Sequence, residues 1–169
     1  LKQHGVRYLV DANTPYGRVA ADRSVVDHIQ YPAEVLNTKA GDCDDLTVLY
    51  CALLENVGVP TALVDYPGHI FLLLDTGVSR SDAYKLPLDP SRYLERGEGL
   101  WIPLEITLLA QGFQPAWRAG VDELSKLSPR DRRRLVVNTA AAWEQYPSAS
   151  PVFAPEVTAP ARAALHWLV

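Results

Sequence analysis

The chain has 169 residues, enough for one domain with its own core. Apolar residues make up 48% and charged residues 21%, ordinary for a globular protein, and no apolar run reaches the roughly 18 residues of a membrane span. A net charge of -4 argues against nucleic-acid binding, since it implies no broad basic surface.

Residues 1–18 hold a short apolar piece, Val6-Arg7-Tyr8-Leu9-Val10, and then a turn at Asn13-Thr14-Pro15-Tyr16-Gly17. Residues 19–37 read as a helix with Val25, Val26 and Ile29 on one side, ended by Tyr31-Pro32. Pro32 alternatively opens a short turn, Pro32-Ala33-Glu34-Val35-Leu36.

The clearest element follows. Gly41-Asp42-Cys43-Asp44-Asp45-Leu46 turns into a helix that runs to Val57, with Leu46, Leu49, Tyr50, Leu53, Leu54 and Val57 recurring on one face. Asp42 is a good N-cap, and Asp45 stands three residues on, in a capping-box position. Gly58 closes the helix and Pro60 prevents its resumption.

Thr61-Ala62-Leu63-Val64 and Ile70-Phe71-Leu72-Leu73-Leu74 read as strands joined by a turn at Pro67-Gly68, with His69 opening the second. Residues 75–99 are polar and turn-rich. Trp101-Ile102-Pro103-Leu104-Glu105-Ile106 returns to strand character, with Pro103 suggesting an edge or a bulge. Gly112 to Gly120 reads as a loop carrying Trp117, and Trp101, Trp117 and Trp143 read as core, with a place for Trp117 in a cleft wall as the alternative. Ser128, Pro129 and Asp131 start a helix that runs to about Gln145. Its run of Arg130, Arg132, Arg133 and Arg134 reads as a solvated surface. Residues 147–160, with four prolines, read as extended, and 161–168 as a short helix with Leu165, Trp167 and Leu168 inward. Helix, then strands, then helix is an α+β order. The expected domain spans 1–169, with a core at about 19–127 and an extension at 128–169. With no Met and a start at Leu1, it reads as a piece of a longer protein, so further domains are expected as partners and any targeting signal elsewhere.

Cys43 and Cys51, eight positions apart on one helix, lie roughly 12 Å apart, too far for a disulfide. Cys51 falls on the packed stretch and reads as a small buried hydrophobe. Cys43 lies in the first turn, where unpaired N–H groups and the helix dipole favour a thiolate. The neighbouring carboxylates oppose that effect, so a reactive Cys43 needs a cationic partner. Of four histidines, His4, His28 and His166 read as surface or packing residues, whereas His69 opens a strand behind a glycine. A third group, acid or amide, must orient that imidazole, and Glu105 ends the next strong strand.

Taken in order, Gly41-Asp42-Cys43-Asp44-Asp45-Leu46, Gly68-His69-Ile70-Phe71 and Trp101-Ile102-Pro103-Leu104-Glu105-Ile106-Thr107 resemble the three-block pattern of the transglutaminase-like superfamily, particularly its bacterial cysteine proteases. The resemblance covers roughly residues 30–110. It implies a papain-like core with the cysteine at the start of a central helix packed on an antiparallel sheet. It also implies a cysteine-dependent amide or peptide hydrolase or acyl transferase, with Cys43 as nucleophile, His69 as base and Glu105 as orienter. The family's third residue is most often Asp, and Asp89, in Leu88-Asp89-Pro90-Ser91, is the rival to Glu105. Protein or peptide substrates follow from the same resemblance, as does a slight preference for an extracytoplasmic setting. No cofactor is expected. Some bacterial relatives bind calcium beside the cysteine, so Asp42, Asp44 and Asp45 form a possible calcium set, against the simpler reading as helix-capping acids. Asn37 is a candidate oxyanion donor or a turn cap. The alternative from a different class is a catalytically silent module that binds peptides or partner proteins.

Overall fold

Helices flank one antiparallel five-stranded sheet in the computed structural model, which describes residues 2–10, 28–86 and 89–146. The fold is α+β, as its helix–strand–helix order suggests. Strand β1 (Arg7–Tyr8) pairs in parallel with β2 (Ala40–Gly41), and helix α1 (Pro32–Thr38) lies between them in the chain. Helix α2 (Cys43–Asn56) follows, then strands β3 (Thr61–Tyr66), β4 (His69–Ser79), β5 (Leu94–Arg96) and β6 (Gly99–Leu104). Helices α3 (Phe113–Ser125) and α4 (Pro129–Leu135), strand β7 (Val136–Asn138) and helix α5 (Thr139–Gln145) complete the described elements. Across the sheet the order is β5-β6-β4-β3-β7, with every neighbour antiparallel.

Strand residues alternate between two cores, as the pleat requires. Leu72, Ile102 and Leu104 point to one face, where Leu46, Leu49 and Cys51 of α2 meet them with Trp117, Val6 and Val35. Ala62, Val64, Phe71, Leu73 and Trp101 point to the other, against Leu124 and Leu127. Both faces are therefore covered in part, which is why β3, β4 and β6 read as nearly continuous apolar runs.

Four expectations are corrected. Pro32 starts helix α1 rather than ending one, because Pro suits a first helical position, and Ile29 is exposed. Gly112–Gly120 is not a loop: Gly112 is the N-cap of α3, and Gly120 lies mid-helix against β6. A Cβ at Gly120 would lie 2.6 Å from the Pro103 carbonyl carbon and oxygen, so this glycine serves close packing rather than a turn. The helix expected to reach Gln145 breaks at Val136–Asn138, which pair with β3 as an edge strand before Asn138 caps a new helix. Trp143 is exposed, not core, and Leu53 and Val57 of α2 are exposed as well.

Pro103 pairs with Leu73 of β4, but β5 ends its pairing at Trp101, so Pro103 has a strand on one side only. A proline tolerates such a position because no ladder partner waits for its missing N–H. The turn at Asn13–Gly17, residues 19–27 of the first expected helix, the extended 147–160 segment, the 161–168 helix and His166 lie outside the described residues.

Candidate active site

Three element ends meet beside α2. Asp42 caps the helix: its side chain accepts from the Asp45 N–H, and the Asp45 carboxylate accepts from the Asp42 N–H at 3.3 Å. The turn into the helix is tight, since a Cβ at Gly41 would lie 2.7 Å from the Asp45 Cβ. Cys43 is thereby held at the first helical position, half-buried. His69 opens β4 opposite Tyr66 of β3. Glu105 comes directly after β6, buried, and caps the 3-10 turn Ile106–Gln111.

The His69 Nε2 and Glu105 Oε2 atoms lie 2.5 Å apart. The other Glu105 oxygen accepts from the Thr107 N–H at 3.1 Å and the Thr107 hydroxyl at 2.6 Å. With Nε2 used in this way, Nδ1 is the ring nitrogen left for a thiol. Hydrogen bonds with Cys43 and with Glu105 outweigh burial and push His69 up to about 10. Burial alone would raise the Glu105 carboxyl, but His69 and Thr107 hold it below its usual value. Around the imidazole, the Tyr66 ring stands edge-on at 5.8 Å and the Phe71 ring stacks at 6.4 Å. The Tyr66 hydroxyl donates to Glu123, which fixes that ring in turn.

Cys43 and His69 face one cleft of about 200 Å³, with Asp42, Asp44, Asp65 and Tyr66 on its walls. Asp42, Cys43 and Asp44 bring their ligand atoms within 4.8 Å of one another. Burial, a hydrogen bond with Asp44 and the charges of Asp44 and Asp45 push the Asp42 carboxyl up to about 8. Asp45 does not join this group. Its oxygens accept from the Gln30 N–H at 2.6 Å and the Gln30 side-chain amide at 2.5 Å. Calcium takes roughly six to eight oxygens, and among the described residues two carboxylates beside a thiol supply part of that set.

Asp89 is exposed and caps the 3-10 turn Pro90–Arg92, accepting from the Ser91 N–H at 2.8 Å. Its carboxyl is held low by that bond, not by an imidazole. Asn37 is exposed within α1 and does not line the cleft. Cys51 is buried, and desolvation pushes its thiol up against the opposing bonds from Thr61 and Thr139. Trp117 packs in the core and donates to the Arg92 carbonyl at 3.0 Å, under the Arg92 guanidinium. His4 and His28 are exposed.

Residues given no role in the motif reading also belong to the site. Thr107, two residues past Glu105, could be found as a cap partner of an acid at the end of a strand. Tyr8 lies opposite Gly41 in the β1–β2 ladder. Its phenol is raised first by burial and then by Cys43, Asp42 and Glu105, so it borders the same groups. Only the β-pairing reveals Tyr8 and Tyr66.

A search against protein families matches residues 4–69 to the Transglutaminase-like superfamily. Over this segment the chain is similar to transglutaminase-like proteins. The matched span includes Cys43 and ends on His69, while Glu105 lies beyond it. Neither a curated protein nor a solved structure matches the chain. The similarity to the Transglutaminase-like superfamily rests on the family match over residues 4–69. Among the described residues, no helix is long and apolar enough to cross a membrane.

Proposed function

We propose that this domain is a cysteine-dependent hydrolase or acyl transferase acting on amide bonds of peptides or proteins. The observation that carries the reading is the 2.5 Å contact of His69 Nε2 with buried Glu105, on an imidazole whose other nitrogen is left for Cys43. A carboxylate on one ring nitrogen fixes the tautomer and stabilises the imidazolium. That cation is the partner a cysteine among Asp42, Asp44 and Asp45 requires.

In this mechanism the Cys43 sulfur, as thiolate, attacks the amide carbonyl and a C–S bond forms. The Cys43 N–H, at the first helical position, has no carbonyl a turn earlier within the helix and can donate to the developing oxyanion. The His69 imidazolium then protonates the leaving amine, the C–N bond breaks and an acyl-enzyme remains. Water, deprotonated by His69, attacks the acyl carbon, the C–S bond breaks, and the acid leaves with the thiolate–imidazolium pair restored. Hydrolysis is taken over crosslinking by analogy with bacterial relatives.

Alkylation tests the reading. Iodoacetamide near neutral pH should label Cys43 stoichiometrically and leave Cys51 untouched in the folded protein. His69→Ala should slow the labelling at least about tenfold. Equal rates in the parent and His69→Ala would favour a silent binding module.

A further inference from the structure

On the sheet face opposite α2, the described residues leave an opening. A cavity of about 430 Å³ lies between β5 and the α4–β7 unit, lined by Arg96, Arg132, Arg133, Glu95, Leu94, Pro129 and Val136. Three guanidinium groups line one cavity in a chain whose net charge is -4. The single lining carboxylate, Glu95, pairs with Arg80 at 2.7 Å and leaves the three guanidinium groups in excess. Among the described residues, no carboxylate pairs with Arg96, Arg132 or Arg133.

The cavity is built as well as charged. Arg96 lies over the Trp101 ring with Cζ 5.3 Å from the centroid, and burial draws its guanidinium below the ordinary value. Arg132 is oriented by its Nε, which donates to the Leu127 carbonyl at 3.1 Å, leaving its terminal nitrogens free of that bond. Arg96 and Arg132 are half-buried; such charge is costly without a counter-charge, and a planar guanidinium matches a carboxylate or a phosphate. Volume and lining separate these two anions. One phosphate would fill a small part of this space and leave Leu94, Pro129 and Val136 uncovered. A chain carrying acidic and apolar side chains covers both kinds of wall.

We propose that this cavity is a docking site for an acidic peptide segment, its carboxylates on Arg96, Arg132 and Arg133 and an apolar side chain against Leu94 and Val136. Arg96 pairs with Gly99 at the far end of β6 from Glu105, roughly 20 Å of strand away. The site is therefore separate from the cleft and does not depend on the catalytic reading.

The test is fluorescence anisotropy with a short fluorescein-labelled peptide alternating Glu and Leu. The parent and Cys43→Ala should bind it equally, with affinity falling as salt rises. The double variant Arg96→Gln/Arg133→Gln should bind at least about tenfold more weakly, with an unchanged melting temperature. If the double variant melts early, Arg133→Gln alone, on an exposed side chain, should still weaken binding about threefold. Absence of saturable binding, or equal affinity in these arginine variants, would overturn the proposal. Saturation by inorganic phosphate without peptide binding would also overturn it, in favour of a small-anion site.

Discussion

Glu105 accepts from two sides, His69 through one oxygen and Thr107 through the other. Its extra methylene, relative to the aspartate usual in the resembled family, lets a residue just past the strand end reach the imidazole while Thr107 anchors it. Glu105→Gln keeps the shape but removes the charge that stabilises an imidazolium. Turnover should fall at least about tenfold on any substrate the parent accepts, with the fold preserved. Asp89→Asn should change turnover little, since Asp89 only caps an exposed turn. A crippled Asp89→Asn would refute the assignment of the acid. Thr107→Val removes one of the two Thr107 hydrogen bonds, and a loss of roughly 1 kcal/mol corresponds to about a fivefold fall in turnover. No change in either turnover or its pH profile would mean that Thr107 does not position Glu105. The places of Cys43, His69 and Glu105 at element boundaries were legible, because each boundary lies inside a sequence motif. Tyr66, Tyr8 and Glu123 were not, because their places depend on strand register and tertiary packing that no local pattern encodes.

At the scale of elements, legibility followed the strength of the local signals. The start of α2 carried a capping box, and β3 and β4 were apolar runs with a two-residue turn between them, so all three appear in order. The misreadings came where tertiary contact overrode a local cue. Val136 and Val137 lay in a pattern read as helical, yet β-branched residues suit a strand and the edge of β3 was open to them. The Thr139 hydroxyl then meets Thr61 at 2.8 Å and fixes the next helix on that strand. The glycines of α3 looked like loop signals, but Gly120 lets the helix backbone approach β6. Gly120→Ala should therefore destabilise the domain, although alanine is the better helix former. An added methyl 2.6 Å from a backbone carbonyl forces a shift worth about 1–3 kcal/mol. A lower urea midpoint for Gly120→Ala is expected, and a rise would mean that α3 is free to move off the strand.

Over the whole molecule, the site leaves a signature in how stability varies with pH. Folded His69 holds its proton to about 10, against 6.5 as the ordinary value. Between those values the folded chain binds more protons than the unfolded one, so stability falls as pH rises. The His69 contribution is complete below about 6.5 and gone above about 10. Asp42, raised from 3.8 to about 8, acts with the same sign over a lower window. Glu105 acts oppositely: its depressed value adds stability above about 4.5, which is lost as pH falls through the folded value. These terms together make stability greatest in weakly acidic solution. Cys51, pushed above 9.0, adds a fall of its own at high pH, so the comparison belongs in a Cys51→Ala background, where buried truncation is tolerated at modest cost. In that background the urea midpoint should drop from pH 6.5 to 9.5, and His69→Gln should remove the part above pH 8. That part should exceed about 1 kcal/mol yet stay below the full shift, because the ring is partly solvated. Asp42→Asn, which keeps a capping side chain, should flatten the fall between pH 5 and 8 instead. Parallel profiles for the background and His69→Gln would mean that His69 does not carry its proton as the Cys43–His69–Glu105 geometry requires.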